Sequence, residues 1–358
     1  LLQTYSKKSG GLYYTACEQV VSTYMRTLLL GMEGPFSCIV LERLLAAGVS
    51  VVAVLLNGQR FRELQPAVQV GGESGVSPAE SLELPLTNAR VNVALPGMDD
   101  SSAGGQNTAA ELRRAAVQVP ASTLGLAMQA GIPTFECNDI GDPEVVKWLT
   151  GQSLDIACVA CWNRIIPPRV LGIPRQGFLN VHPSLLPAYR GPFPLFWQFR
   201  AGEVSTGVTV HWMDAGLDTG DIAGQRAVQF AEGMGGPEAE SLCASAGGDL
   251  LAEVIVAAAQ GQAVRRPQPK GGSYMPAPSA EYFALDANWH ARRAFNFMRG
   301  TAEWGVPYLL ETEDRVLWLD EALEWREEAP VEGPVNGRVW APFRGDALLA
   351  TLCDNAVA

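Results

Sequence analysis

Residues 180–187, NVHPSLLP, set an amide and an imidazole two positions apart and then end the strand that carries them. Successive strand side chains alternate faces, so Asn180 and His182 point the same way. Pro183 cannot donate to a sheet ladder, and it biases His182 toward an extended backbone. The pair is therefore expected at the carboxyl end of a strand, the edge at which open α/β sheets bind ligands. An amide donor beside a titratable ring suits a reaction that builds an oxyanion and moves a proton. With 3 His in 358 residues, the position of each one carries information.

A second segment, residues 207–221, reads GVTVHWMDAGLDTGD. Val208, Val210 and Trp212 alternate as a strand does, and the Asp and Gly residues after them predict a tight loop. Asp218 is spaced to reach back and orient the His182 ring, as carboxylates do in many sites. Singly, each group has a plainer reading: Asn180 as a backbone hydrogen-bonder, His182 as a core residue, Asp218 as a turn former. Their order and spacing together favour chemistry. His211 stands in the strand without a motif partner and reads as structural. His182, His211, Asp214, Asp218 and Asp221 have no zinc-ligand spacing, and no metal is expected.

The elements that must position these groups follow a βαβ start. A strand over 27–30, a turn, a helix over 38–47 and a buried strand over 49–56 predict a doubly wound sheet. The first turn lacks GxGxxG, which argues against a nicotinamide dinucleotide. Residues 57–112 are rich in Pro, Gly, Ser, Gln and Asn and read as a long loop or insert. Beyond them come a helix over 121–130, a strand over 132–135 and a helix opened by Asp142-Pro143-Glu144. Strands are expected over 155–161 and 177–182, a helix over 193–201, and a strand over 206–212. An Ala-rich helix over 238–261 closes the first unit. Residues 265–280 hold four prolines and Gly271-Gly272, an extended connector. A short amphipathic helix over 291–300 and strand-like runs at 308–311, 316–319, 321–325, 337–340 and 348–352 suit a small β-barrel.

Length predicts about two domains, and 47% hydrophobic residues suffice for a real core. The net charge of −12 argues against broad, nonspecific nucleic-acid binding, which rests on phosphate neutralisation, but leaves room for a local basic groove. Seven scattered Cys and no secretory pattern point to the cytoplasm. Cys158 and Cys161 have CxxC spacing, yet they lie in an apolar run that reads as core. No apolar run reaches the roughly 18 residues of a membrane span. Residues 1–24 are polar and read as a leader before Met25.

The strings FLNVHPSLLPAYRGPFP and TGVTVHWMDAGLDTGDI resemble the folate-dependent formyltransferase family, with His182 and Asp218 at the family's separation of 36 residues. The resemblance is strongest to the branch that formylates initiator methionyl-tRNA. It implies a Rossmann-like formyltransferase domain over 25–262, a linker over 263–280 and an OB-like β-barrel over 281–358. It implies 10-formyltetrahydrofolate as co-substrate and Asn180, His182 and Asp218 as the catalytic residues. The folate is expected against Arg164, Ile165, Ile166, Ser184, Leu185, Leu186, Pro187, Asp214 and Leu217, and the amine substrate near the first turn. Arg190 either positions substrate or caps its loop. Arg265, Arg266, Lys270, Arg292, Arg293 and Arg299 offer contacts for tRNA phosphates. Many members carry a basic loop after the second strand; here the stretch is NGQRFRE at 57–63. An acceptor that is a small amine, such as an amino-sugar nucleotide, and hydrolysis of the same folate therefore stand as alternatives.

Overall fold

The computed structural model describes residues 25–64, 122–328 and 337–353. The leader over 1–24 and the insert from residue 65 onward lie outside them.

The first unit is built on an eight-stranded sheet, in spatial order β3-β4-β2-β1-β5-β6-β7-β8. Its strands are β1 (Thr27–Gly31), β2 (Val51–Asn57), β3 (Arg62–Glu63), β4 (Thr134–Cys137), β5 (Ile156–Ala160), β6 (Phe178–His182), β7 (Ser205–Trp212) and β8 (Ile222–Gln229). The run β4-β2-β1-β5-β6 is parallel, while β3, β7 and β8 are antiparallel to their neighbours. Sheet strands covered on both faces read as continuous apolar runs, and TLLLG and IACVA are buried throughout. Leu29 faces one core and Leu28 and Leu30 the other, as a period of two requires.

The helices are α1 (Pro35–Ala46), α2 (Thr123–Gln129), α3 (Pro143–Gly151), α4 (Pro168–Leu171), α5 (Pro194–Ala201) and α6 (Gly236–Ala259). α3 starts where its sequence says it should: the Asp142 side chain accepts from Glu144 N, and Pro143 occupies the first turn. At 24 residues and a mean hydropathy of 1.6, α6 has the length and composition of a membrane span. Its packing identifies a core helix instead, because it is largely buried against α1, β7 and β8.

Two expectations need correction, and one strand was not expected at all. β8 had no counterpart in the sequence reading: IAGQRAVQ alternates too weakly to announce a strand, and it forms because the exposed edge of β7 recruits it. The runs at 316–319 and 321–325 are one strand, β10 (Val316–Arg326), whose register shifts between Leu319 and Ala322. Cys158 is buried in β5, but Cys161 lies past the strand end, exposed, at φ 57°.

The C-terminal unit opens with α7 (Ala291–Gly300). It continues as a four-stranded antiparallel sheet in the order β11-β12-β10-β9, with β9 at Tyr308–Glu311, β11 at Arg338–Pro342 and β12 at Ala347–Leu352. It joins the first unit through aromatic rings. Phe196 of α5 lies 5.2 Å from Phe283, 5.5 Å from Phe297 and 5.4 Å from Trp304, centroid to centroid. Such pairs add specific edge and face contacts to plain area burial.

Candidate active site

The site forms where β6 and β7 lie side by side. Their register pairs Asn180 with His211 and His182 with Thr209. The loop after β7 then folds back, so that Asp218 reaches both strands.

The His182 ring is 4% exposed and held between two acceptors. Nε2 lies 2.8 Å from the Tyr189 carbonyl, and Nδ1 lies 3.7 Å from Asp218 Oδ2. A carbonyl only accepts, so Nε2 carries the proton, and the bare nitrogen of the neutral ring is Nδ1, facing the carboxylate. Burial pushes the His182 pKa below its ordinary value, although Asp218 and the Tyr189 carbonyl pull it up. The neutral ring is therefore the resting form, rather than the imidazolium that a neighbouring carboxylate alone would favour.

Burial would raise the Asp218 carboxyl, but the hydrogen bond with His211, the positive charge of the His182 ring once it is protonated at low pH, and the Gly191 amide together outweigh it and hold the pKa at about 2. Oδ2 accepts from Gly191 N at 2.9 Å, and Oδ1 lies 3.4 Å from Asn180 Nδ2 and 3.5 Å from His211 Nε2. Gly191 is required there: at φ +117°, a Cβ would collide with the Met275 carbonyl. Asp218 itself has φ 54°, a left-handed conformation uncommon outside glycine that aims its side chain into the site.

His211, expected as a strand residue without a motif partner, does lie in the strand, β7, and has two partners in the site. It is buried, and its Nε2 lies 3.1 Å from Asn180 Nδ2. With a proton, Nε2 donates to Asp218; without one, it accepts from the Asn180 amide. Its partners were hidden because they arise from the pairing of β7 with β6.

The other expected residues divide. Ile165 is 77% exposed and Leu217 55% exposed, both on loops leaving the carboxyl ends of site strands, whereas Ile166 is 5% exposed and belongs to the core. Arg164 is exposed. Ser184 is fully buried and donates to the Ala188 carbonyl. Leu186 is buried with its N–H on Thr209 Oγ1, while Leu185 is part-exposed and Pro187 half-buried. Asp214 accepts from Gly216 N and Thr219 Oγ1, closing its own turn. The Arg190 guanidinium donates to Gln268 Oε1 from Nε at 3.2 Å and Nη2 at 2.6 Å, so it ties loop to linker. Four of the six basic residues singled out by sequence have protein partners. Arg265 lies over Trp212, Arg292 pairs with Glu232, Arg293 donates to the Arg200 carbonyl and Arg299 pairs with Glu321.

Asn180 and His182 of β6 and Asp218 of the loop after β7 thus meet at one point. Residues 96–255 match the family model described as Formyl transferase. That match covers under half of the chain, and the resemblance read from the two motifs is borne out by it. Among the particular relatives it matches are methionyl-tRNA formyltransferases. One, from Pelotomaculum thermopropionicum, is 37% identical over 187 residues, covering 52% of this chain and 60% of the relative. Another, from Synechococcus sp., is 37% identical over 183 residues, covering 51% and 57%. The matched part thus spans well under two thirds of the relatives' length. Among solved structures, the N-formyltransferase of Helicobacter canadensis, crystallised with folinic acid and dTDP-3-aminofucose, shares the fold. It has a TM-score of 0.56 at 15% identity, over 92% of this chain and 99% of that one.

Proposed function

We propose that this chain transfers the formyl group of 10-formyltetrahydrofolate to the amine of initiator methionyl-tRNA. The observation that carries the reading is the convergence of Asn180, His182 and Asp218 on one point, an amide donor, a neutral imidazole and a carboxylate. Acyl transfer asks for those three groups. The amine nitrogen bonds to the formyl carbon, and the carbonyl electron pair moves to oxygen, where the Asn180 amide donates to the oxyanion. The amine's proton passes to Nδ1 of His182, and the imidazolium so formed lies between the Tyr189 carbonyl and the Asp218 carboxylate. Collapse breaks the bond to N10 of the folate, which takes up the proton and leaves as tetrahydrofolate.

The apolar, exposed Ile165 and Leu217 supply walls for a pterin, with Ile166 beneath and Arg164, Ser184, Leu185, Leu186, Pro187 and Asp214 in the surrounding loops. We assign the C-terminal antiparallel sheet to an OB-like domain over 281–358, joined by a linker over 263–280 to a catalytic domain over 25–262. The tRNA acceptor is supported by the names of the curated relatives.

A small-amine acceptor is the second reading, favoured by one feature. Arg62, in the stretch where a basic loop is expected, pairs with Glu136 at 2.6 Å. The deciding experiment offers 10-formyltetrahydrofolate with charged initiator methionyl-tRNA, with an amino-sugar nucleotide, and with no acceptor. Formylated tRNA supports the proposal. Transfer to the sugar alone replaces the acceptor, and donor loss without acceptor identifies a hydrolase.

A further inference from the structure

Both groups that flank the His182 ring come from residues with left-handed backbones. Tyr189, whose carbonyl meets Nε2, has φ 58°, and Asp218, whose carboxylate faces Nδ1, has φ 54°. Such a conformation disfavours any residue with a Cβ and persists where the surroundings hold it. In each case the restraint comes from the same outside segment, the stretch of chain between the two units.

Gln268 holds the Asp218 side. Its Nε2 donates to the Asp218 carbonyl at 2.7 Å and the Gly220 carbonyl at 2.9 Å, spanning the left-handed turn. Its Oε1 accepts the Arg190 fork, which ties the same amide to the loop that follows His182. Ser273 holds the Tyr189 side: its Oγ accepts from Tyr189 N at 2.9 Å, and its carbonyl accepts from Arg190 N at 2.9 Å. Met275 N then donates to the Arg190 carbonyl at 2.8 Å. Across residues 264–277, every residue is exposed except Gln268, Ser273 and Met275, which are the ones turned toward the site. Over the whole connector, 263–280, Ala263 and Pro278 are also half-buried, but Gln268, Ser273 and Met275 are the ones whose hydrogen bonds reach the two site loops.

We propose that this inter-domain segment is a structural member of the active site, with Gln268 and Ser273 as positioning residues that hold Asp218 and Tyr189 in place around His182. The inference rests on the acyl-transfer reading for its effect on turnover, but its effect on the His182 ring does not depend on that reading. The charged and titratable groups facing that ring are Asp218 and His211; the Arg190 guanidinium is turned away onto Gln268.

The test uses the full chain with Gln268→Ala, Gln268→Glu and Ser273→Ala, and Gln262→Ala as a control at an exposed position. Glu at 268 keeps the acceptor for Arg190 and loses the donors to Asp218 and Gly220. Two readouts are taken: kcat and KM for formyl transfer, and the NMR titration of the His182 ring. Displacing a catalytic group by an ångström typically costs roughly 10²-fold in rate. Gln268→Ala and Gln268→Glu should both lower kcat by about that factor with the donor KM held, and Gln268→Ala, which adds no charge, should move the His182 titration to lower pH as the carboxylate drifts away. Ser273→Ala should act in the same direction but more weakly, because its backbone bond to Arg190 survives. The control should match the wild type. Turnover and ring titration unchanged in Gln268→Ala would overturn the proposal, and full turnover in Gln268→Glu would overturn the Asp218 tie. If the wild type transfers formyl to no acceptor, the functional reading fails, and the ring titration alone decides the inference.

Discussion

His211 and Asp218 form a second imidazole–carboxylate contact, 3.5 Å from Nε2 to Oδ1, on the opposite carboxylate oxygen from the one that faces His182 at 3.7 Å. One carboxylate therefore serves two rings, and His211 also touches the Asn180 amide at 3.1 Å. The proposed oxyanion donor and the proposed base are linked through these two residues.

Replacing His211 with Phe should keep the fold of β7 and release the Asn180 amide. Asn180 is part-buried and keeps only its 3.4 Å contact with Asp218, so the loosened amide should lower kcat with little change in folate affinity. Steady-state kinetics with the donor varied checks this, and an unaltered kcat would return His211 to a purely structural role.

Asn180→Ala removes the proposed oxyanion donor, and His182→Ala the proposed base. Loss of one oxyanion donor typically removes about 3–4 kcal/mol of transition-state stabilisation, or 10²–10³ in kcat. Folate binding, measured by fluorescence or calorimetry, should be nearly unchanged. Equal losses in binding and turnover would place these residues in the pocket wall instead.

The pH profile follows from the direction of the His182 shift. If neutral His182 is the base, turnover rises with pH through its pKa, and that acidic limb lies below the ordinary histidine value of about 6.5. Asp218→Asn removes the charge that pulls the ring's pKa up. It should move the limb to still lower pH and lower the plateau, and a limb that moves upward would contradict the arrangement.

Stability should carry the same signature. A His whose pKa is lowered on folding binds its proton more readily when unfolded, so stability is lost as pH falls below about 6.5 toward the folded pKa. Asp218, depressed to about 2, contributes stability that is present above the unfolded value and lost as pH falls through the folded one. Denaturant titrations of wild type, His182→Ala and Asp218→Asn across this range separate the two.

Phe196, of the first unit, is 3% exposed and packs against Phe283, Phe297 and Trp304 of the C-terminal unit. Phe196→Ala should cost about 3–5 kcal/mol, read as a lower denaturant midpoint. A loss near zero would mean that the aromatic contacts between the units contribute little.

If the acceptor is tRNA, transfer should weaken steeply between low and moderate salt, because phosphate contacts release counterions. Transfer to a small amine should not. Comparing the salt dependence of kcat/KM for the two acceptors discriminates them.

What the sequence determined by itself was local or carried by motif. Apolar runs marked β1, β2 and β5 because strands covered on both faces need no polar alternation. Asn180 and His182 could be set on one face because the strand period is two. Asp142-Pro143 announced α3 because capping is a matter of adjacent residues. The tertiary structure alone decided the rest. β8 exists because β7 has an open edge, and His211 meets Asn180 because β7 runs antiparallel to β6 in that register. Gln268 reaches Asp218 across 50 residues of chain, and no local pattern reports a side chain whose partners are backbone carbonyls that far away. Periodicity and capping are written into neighbouring residues, whereas contacts between strands, loops and linker depend on how the sheet is wound.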